Sequence, residues 1–537
     1  MKYQRVSVTS CELKTQDSSA AAERRARQFR NRSVFLSATL AAMLFSGVAT
    51  AQRTPVNSGL VLNGVTIVDT HTGALTPGRA IAIDGGKIVK IGPAGSITVS
   101  GTAKSIDARG KFVVPGFWNM HAHVFDPDET RDNLYLMLAN GITGFRQMSG
   151  TDEQLKARKD GTLMPANDAP ELLAMPGSIL TRANAATPEQ AVAEVKKQKA
   201  EGADFIKTID VTPETFFAAN DEAKRQGLPY AGHLSIGVDA VKASEAGMSS
   251  IEHLGPMETL FISCSSAEPM IRQAIAARPA QPQLPANFDA KMLKLLVSNP
   301  ILLRIQADPQ FLSRLPLVLS TYDEGKCRAT AKVFVEHNTW QCPTLIRERT
   351  AFYGDDPAYE NDPNLKYVSP ATRQLWAMLG KSFSEKVDPA GHEALKQFAA
   401  MFMTMTKLFD ASGVKMLAGD DMTGIWVIPG FGLHQEFDLL SQAGLTPLTI
   451  LQMTTINGAE FLNRTATAGT VEQGKDANLV LLDGNPIESV QNLHKINAVV
   501  RGGKYYSKDA IELLKRKVAD HQASKAALTA PAEKAIP

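Results

Sequence analysis

Cysteine, an excess of one charge and long apolar runs are all scarce in this chain. Only four of its 537 residues are cysteines, and none has the CxxC spacing of a structural zinc site. The 57 Lys and Arg against 55 Asp and Glu leave a net charge of +2, which gives no electrostatic attraction to nucleic acid or to anionic membranes. We therefore expect no nucleic-acid partner, and the 44% hydrophobic content is that of a globular protein with an ample core.

The first fifty residues differ in composition from the rest. Five arginines between positions 24 and 32 precede an apolar segment, Val34 to Val48, which Ala49-Thr50-Ala51 follows. This order is typical of a cleaved secretory signal, so we predict a signal peptide over residues 1–51 and a secreted or periplasmic mature chain. An uncleaved membrane anchor is the alternative. No second apolar run is long enough to cross a bilayer, so no stable membrane span is expected after cleavage.

Three cysteines would remain after cleavage. In an oxidising compartment, one pair of them can form a disulfide. Cys264 and Cys327 flank the same polar segment, whereas Cys342 lies in an apolar, strand-like run. We therefore favour a disulfide between Cys264 and Cys327.

Short β-rich runs and turn residues occupy both ends of the mature chain. Residues 59–114 alternate such runs with Asp-Gly and Gly-Gly turns, and residues 477–504 have the same character. We predict one small β domain built from residues 52–114 and 463–507. A tail of residues 508–537 should follow, helical to about His521 and disordered beyond.

Between these pieces, residues 115–462 alternate short apolar strands with helical segments. Eight strand-then-helix units predict an α/β fold, a closed parallel (β/α)8 TIM barrel with functional residues at the carboxyl ends of the strands. Residues 255–338 are too long for a single connection. They are predicted to form a helical insertion over the active-site face.

Polar residues lie where several of the predicted strands end. His121 and His123 follow an apolar run at positions i and i+2, so on an extended backbone they face the same way. Five more residues lie at comparable points: Lys207, His233, His253, Asp420 and Asp421. Taken singly, His233 or His253 is more often a packed or surface histidine, Lys207 is usually a solvated charge, and Asp420 with Asp421 indicates a turn. Together, imidazoles and carboxylates on one rim predict a centre of two divalent metal ions that an anionic ligand bridges.

Lys207 fits such a centre only after modification, because an ammonium group repels cations. Burial beside positive charge lowers the pKa of a lysine, and the neutral amine can add carbon dioxide. The resulting carbamate offers two oxygen ligands. We therefore predict carboxylated Lys207 as the bridge between the two ions.

The motifs around these residues resemble the amidohydrolase superfamily, and within it the imidazolonepropionase-like or Xaa-Pro dipeptidase (prolidase)-like branch. The stretches that carry the resemblance are VVPGFWNMHAH (113–123), GADFIK (202–207), SIEH (250–253), LTPL through TTINGA (445–459) and GKDANLVLLDGNP (474–486). The resemblance covers nearly all of the mature chain up to about Lys508. It implies a (β/α)8 barrel and a β-sandwich formed from both chain ends.

The resemblance also implies the ligand set. One ion would be held by His121, His123 and Asp421, the other by His233 and His253, with carboxylated Lys207 between them. The family pattern before the last ligand is Gly-Thr-Asp, whereas this chain has Gly419-Asp420-Asp421. Alignment on Gly419 favours Asp421 as the ligand and catalytic residue, and Asp420 is the alternative.

The implied activity is that of a metal-dependent hydrolase acting on carbon–nitrogen bonds of small amide or peptide substrates, such as dipeptides or N-acyl amino acids. A hydroxide bridging two ions, zinc by default, would attack the carbonyl group, with Asp421 as general base and then acid. A lactonase or organophosphate-type esterase is the alternative, and a non-catalytic binding protein is a further one. His434 is a candidate substrate contact, or else a helix-surface histidine. The sequence leaves a homo-oligomer open.

Overall fold

The computed structural model describes residues 54–126, 128–165, 168–277, 298–422 and 424–529. These residues belong to one compact unit, Gln52–Pro537. The predicted signal peptide, residues 1–51, lies outside the described residues. Across the described ranges, no helix is both long enough and apolar enough to cross a membrane.

Short strands dominate both ends of the chain and recur singly through its middle. The described strands are β1 (Thr54–Val56), β2 (Leu60–Val68), β3 (Leu75–Asp84), β4 (Lys87–Pro93), β5 (Ile97–Val99), β6 (Lys104–Asp107), β7 (Phe112–Pro115), β8 (Phe117–Ala122), β9 (Ile142–Gln147), β10 (Glu171–Ala174), β11 (Leu180–Thr181), β12 (Ile206–Asp210), β13 (Tyr230–Gly232), β14 (Ser250–Glu252), β15 (Trp340–Cys342), β16 (Leu479–Leu482), β17 (Ile496–Arg501) and β18 (Lys504–Tyr506).

Strands from both ends of the chain share one sheet. Its order is β18-β17-β16-β7-β2-β3-β4, with β6 paired to β2. The two ends meet where β16 runs antiparallel to β7, with Leu479 opposite Pro115 and Leu482 opposite Phe112. Apolar residues of both ends pack in one buried cluster, with Val65 and Val113 from the first piece and Leu479 from the second. The β-rich ends therefore combine as expected, although the β-sandwich itself stays a prediction.

The middle of the chain forms parallel ladders. One sheet has the order β10-β9-β8 and the other β11-β12-β13-β14-β15. The segment predicted as the last strand, residues 415–419, makes one isolated parallel bridge, between Met416 and Gln341, instead of a regular ladder, and a second such bridge joins Met422, just after it, to Ala122. Parallel strands separated by helices confirm the α/β fold. The closed eight-stranded barrel stays a prediction.

Helices connect these strands. The described α-helices are Thr130–Ala139, Asp152–Lys159, Pro188–Glu201, Pro213–Arg225, Ala240–Glu245, Thr259–Ser263, Glu268–Ala276, Pro300–Ala307, Phe311–Ser320, Glu324–Glu336, Leu345–Phe352, Pro357–Glu360, Pro370–Lys386, Pro389–Ala411, Phe431–Gln442, Pro447–Met453, Ile456–Phe461 and Lys508–Thr529, with 3-10 turns at Pro363–Tyr367 and Val490–Asn492.

The segment predicted as a helical insertion, residues 255–338, contains five of these helices. The predicted disulfide between Cys264 and Cys327 is present and joins the two flanks of the segment. Cys342 is buried and has a free thiol. The disulfide prediction is therefore confirmed.

A second helical region lies between β15 and Met416, where sequence patterns predict only one connection. Its longest helix, Pro389–Ala411, buries Phe398 and Phe402 against Phe261 of the first insertion, with ring centroids 4.7 and 4.8 Å apart. Aromatic rings at these distances stabilise the contact beyond the area they bury. The two helical regions therefore pack as one layer.

The tail helix continues further than predicted. It runs over Lys508–Thr529, so residues 522–529 are helical rather than disordered, and residues 530–537 lie outside the described residues. His521 Nδ1 and Gln522 Nε2 both donate to the buried Asp132 carboxylate, at 2.6 and 2.7 Å. These contacts hold the helix against Thr130–Ala139, and the Ala- and Lys-rich composition also favours a helix, since both residues have high helix propensity.

Candidate metal centre

The predicted site residues lie at the ends of neighbouring parallel strands. His121 belongs to β8 and Lys207 to β12, while His233 and His253 directly follow β13 and β14. Neighbouring parallel strands end at the same edge, so the side chains they carry there come together. Asp421 enters beside them, since its backbone N–H donates to the His121 carbonyl oxygen at 2.8 Å.

Gly419 lets the chain before Asp421 approach β8. A Cβ atom at this position would lie 2.7 Å from both the Cβ and the backbone nitrogen of His121. Only glycine avoids that overlap. The glycine of the Gly419-Asp420-Asp421 segment therefore brings Asp421 within reach of the histidines.

Three imidazoles converge on the Asp421 carboxylate. The Nε2 atoms of His121 and His123 lie 3.2 and 3.1 Å from Oδ1, and Nε2 of His253 lies 3.8 Å from Oδ2. One ligand atom from each of His121, His253 and Asp421 lies within 4.8 Å of the others, which is the spacing of side chains that share an ion.

Lys207 and His233 complete the group. The Lys207 Nζ atom lies 3.4 Å from His121 Nε2, deep in the site, and Lys207 is only 1% exposed. The ring of His233 packs against that of His253, with centroids 4.8 Å apart. The structure thus brings together all six residues predicted as ligands, although their binding of metal stays a prediction.

Positive φ angles occur at two of the predicted ligands. His253 has φ 59° and Asp421 has φ 51°, and Thr344, which contacts His253, has φ 46°. Non-glycine residues rarely adopt this left-handed region, and those that do cluster at functional sites. The unusual backbone conformation therefore occurs at residues whose side chains form the site.

Burial sets the charge state of the imidazoles. It lowers the pKa of His123 and holds those of His233 and His253 well below the ordinary value. These rings are therefore neutral at pH 7, the form in which imidazole binds metals.

The lysine and the aspartate are also suited to metal binding. Burial raises the pKa of Asp421, but His121 and neighbouring imidazoles lower it more, so it stays well below its usual range. Burial lowers the pKa of Lys207 to about 8, so about a tenth of the amine is neutral at pH 7 and available to react with carbon dioxide. The residues present therefore fit a divalent-metal centre.

Asp420 lies outside the group. Its Oδ1 accepts hydrogen bonds from Asn119 Nδ2 at 2.7 Å and from the Met422 backbone N–H at 3.1 Å. Burial raises its pKa to about 6. The geometry agrees with the preference for Asp421 over Asp420.

His434 is not brought to this group. It lies on helix Phe431–Gln442, is buried, and its Nε2 donates to the Asn140 carbonyl oxygen at 2.9 Å. Its ring packs on Phe117, the first residue of β8, at 6.0 Å. His121 lies four residues along that strand, about 13 Å away at 3.3 Å per residue. We therefore do not include His434 among the residues that meet substrate, and it is not a helix-surface histidine either.

Sequence reasoning missed three charged residues of the site. Arg146 and Glu252 form a buried ion pair beneath His121, with Arg146 Nη2 2.7 Å from Glu252 Oε1. Arg347 Nε lies 3.1 Å from Asp421 Oδ2. The first two could have been found, because each is a lone charge in a predicted buried strand, and opposite charges in a core are expected to pair.

Comparison with known proteins supports the predicted family. Residues 396–505 match the model of the amidohydrolase family. A segment of 77 residues is 39% identical to adenine deaminase 3 of Rhizobium johnstonii, covering 14% of this chain and 12% of that protein. Another match, 36% identical over 77 residues, is to a dihydroorotase of Pelotomaculum thermopropionicum, covering 14% of this chain and 17% of that protein. The resemblance to the amidohydrolase superfamily is confirmed.

Solved structures extend the likeness over most of the chain. Bottromycin amidohydrolase superposes with a TM-score of 0.62 at 20% identity, covering 86% of this chain and 90% of that one. A Xaa-Pro dipeptidase with bound methionine gives a TM-score of 0.55 at 18% identity, covering 84% of this chain and all (100%) of that one. A putative prolidase from Bifidobacterium longum gives 0.54 at 20% identity, covering 86% and 100%. At such identity the superpositions establish the fold alone.

Proposed function

We propose that the protein is a metal-dependent hydrolase that cleaves amide or peptide bonds of small substrates. The observation that carries this proposal is the convergence of three imidazole Nε2 atoms on Asp421, at 3.1 to 3.8 Å, with the buried Lys207 amine beside them. The names of the matched proteins agree with a hydrolase acting on carbon–nitrogen bonds. The matched segments cover only 12% and 17% of the two curated relatives, so the activity itself belongs to this proposal.

The ligands divide as the resemblance implies. His121, His123 and Asp421 would hold one ion, His233 and His253 the other, and carboxylated Lys207 would bridge them. Two divalent ions, zinc by default, would lower the pKa of a coordinated water and polarise the scissile carbonyl group. A mononuclear deaminase is less favoured, because it would leave the buried Lys207 without a role.

The chain itself supplies the proton transfer. Asp421 is 14% exposed and His123 27%, whereas His121 and His253 are almost fully buried, so substrate approaches from the side of Asp421. Asp421 is ionised, as its lowered pKa shows, and can take a proton from the attacking water. It then returns that proton to the leaving amine nitrogen.

Two further features belong to the proposal. We propose that β8 to β15 and the segment around Met416 close into one barrel, which the parallel bridges Gln341–Met416 and Ala122–Met422 support. We also propose export by the signal peptide. The disulfide between Cys264 and Cys327 supports it, since disulfides persist in oxidising compartments.

A hydrolysis screen tests the activity. With zinc-loaded full-length protein, we expect turnover of dipeptides and N-acyl amino acids, and little or none of lactones and phosphotriesters. Release of the free amine is the measurement, and Lys207→Ala is the control for a contaminating hydrolase. Turnover of only lactones or phosphotriesters would contradict the proposed amidase activity and favour the alternative, a lactonase or organophosphate-type esterase. Tight zinc binding without any turnover would favour a binding protein.

Arg347 bears on which amides are cleaved. Its side chain is 6% exposed, and its Nε lies 3.1 Å from Asp421 Oδ2, so a permanent cation borders the site where substrate enters. A guanidinium binds a carboxylate through two parallel hydrogen bonds. We therefore expect substrates with a free carboxylate near the scissile bond.

Comparing an N-acyl amino acid with its uncharged carboxamide tests this role. Wild type should prefer the acid, and Arg347→Ala should remove most of that preference, which we place at about 10-fold or more, since a charge-assisted hydrogen bond contributes about 1.5–3 kcal/mol. Arg347→Lys keeps the positive charge but not the two parallel hydrogen bonds, so its preference for the acid should lie between those of wild type and Arg347→Ala. An equal loss of kcat/KM on both substrates would instead assign Arg347 to orienting Asp421.

A further inference from the structure

The three histidines that face Asp421 share one orientation. Each directs Nε2 toward the carboxylate and gives Nδ1 to an outer partner. His123 Nδ1 lies 2.8 Å from Ser149 Oγ, and His253 Nδ1 lies 2.5 Å from Thr344 Oγ1. Both of these partners are neutral hydroxyl groups, and the Glu348 Oε1 atom lies 3.8 Å from His253 Nδ1, beyond hydrogen-bond distance.

His121 differs in the partner of its Nδ1 atom. That atom lies 2.7 Å from Glu252 Oε2, and both residues are fully buried. The other oxygen, Oε1, accepts from Arg146 Nη2 at 2.7 Å and from Ser250 Oγ at 2.6 Å. A carboxylate paired with a guanidinium is ionised and can only accept hydrogen bonds. His121 therefore carries its proton on Nδ1 and presents the Nε2 lone pair to the site.

Arg146 is itself held in place. Its Nε donates to the Met120 carbonyl oxygen at 2.6 Å, one residue before His121. Its guanidinium carbon lies 5.0 Å from the ring centre of Phe461 and 5.6 Å from that of Phe205. The guanidinium thus has neighbours on its edge and near its faces, which leaves Glu252 little freedom to rotate.

We propose that Glu252, fixed by Arg146, is the positioning residue of the metal centre: it locks the tautomer and the ring orientation of His121. The inference rests on the proposed function, since it assigns His121 to an ion. Outer carboxylates of this kind raise the basicity of a metal-binding imidazole and orient it. A neutral hydroxyl group, as at His123 and His253, orients the ring but raises the basicity of the imidazole less than a carboxylate does.

The same residues do not make a second metal site. Ligand atoms of His121, Glu252 and Cys342 lie within 4.8 Å of one another. However, Arg146 and Ser250 occupy Glu252 Oε1, and His121 occupies Oε2. A cation here would also lie beside a guanidinium, which repels it. The carboxylate therefore serves the imidazole.

Zinc affinity of the full-length protein tests the proposal. Chelator competition should show one of the two zinc ions bound about 10- to 100-fold more weakly in Glu252→Gln, the usual effect of losing an outer partner. Arg146→Lys keeps the positive charge, but a single ammonium group cannot make the contacts of the guanidinium with Glu252, Ser250 and the Met120 carbonyl group together. This variant should therefore weaken the binding of the same zinc ion. Ser149→Ala should weaken zinc binding less than either, because its hydroxyl is neutral. In the cobalt-substituted protein, Glu252→Gln should also change the visible absorption spectrum.

A matched control separates positioning from stability. Asp132 is also a buried carboxylate that accepts from a histidine, His521 Nδ1 at 2.6 Å, but it lies on the tail-helix contact. Asp132→Asn should keep wild-type zinc affinity. Wild-type zinc affinity in both Glu252→Gln and Arg146→Lys would overturn the inference and leave the proposed function standing. Absence of zinc binding in the wild type would overturn both. If Glu252→Gln does not fold, as circular dichroism would show, Arg146→Lys alone decides.

Discussion

Lys207→Ala is expected to lower kcat/KM for the best amide substrate by at least about 1000-fold, which corresponds to about 4 kcal/mol of activation free energy. The variant loses the lysine whose carbamate we propose as the bridge between the two ions. It also leaves His121 Nε2 without the group 3.4 Å away. We expect the zinc content to fall from about two ions per chain toward one or none, measured by elemental analysis. Intact-mass analysis should show one added carbon dioxide on the wild type only.

Two controls make the Lys207 result specific. Lys475 is also poorly exposed, at 12%, but it bonds to Thr470 in the β-rich region, so Lys475→Ala should keep both zinc and activity. Formate or acetate added to Lys207→Ala should restore part of the activity, because a small carboxylate can occupy the space of the carbamate. Activity within tenfold of wild type in Lys207→Ala would contradict the bridging role.

Regular local patterns made much of the scaffold, and the convergence of the candidate ligands, predictable. The turn residues and alternating apolar runs of β2 to β4 indicated the hairpins that the structure contains. His121, Lys207 and His253 were identifiable because each follows an apolar run, and the ends of neighbouring parallel strands meet. No long-range information was needed for these predictions.

The rest depends on contacts between distant segments. The helices between β15 and Met416 bury aromatic residues such as Phe402 against Phe261 of another insertion, and no local pattern encodes that partner. The irregular segment near Met416 follows from the close approach at Gly419, which only the assembled structure reveals. Likewise, His434 follows the last strand in sequence, yet its helix carries it toward Phe117 at the opposite end of β8.

Arg146→Ala is expected to lower the free energy of unfolding by about 3–5 kcal/mol, measured by urea unfolding of the zinc-free protein. Arg146 is 1% exposed, and its removal leaves the Glu252 carboxylate buried without its guanidinium partner, with only the hydrogen bonds from His121 and Ser250 and the attraction of Lys207 remaining among the described contacts. Burial raises the pKa of Glu252, but Arg146 and the hydrogen bond from His121 lower it more, so it is ionised in the folded state. Without Arg146, its pKa should rise, and the variant should lose less stability at acidic pH, where protonation removes the buried charge.

A surface ion pair provides the matched comparison. Arg158 pairs with Asp204 through two hydrogen bonds, where Arg146 makes one to Glu252, but the side chains of Arg158 and Asp204 are 31% and 35% exposed. Water screens such a pair, so Arg158→Ala should cost at most about 1 kcal/mol. The double variant Arg146→Ala with Glu252→Gln should be more stable than Arg146→Ala alone, because it no longer buries an unpaired charge. If the double variant is no more stable, the stability lost in Arg146→Ala comes from the missing contacts of the guanidinium with Phe205, Phe461 and the Met120 carbonyl group. The unpaired Glu252 carboxylate would then not be the cause.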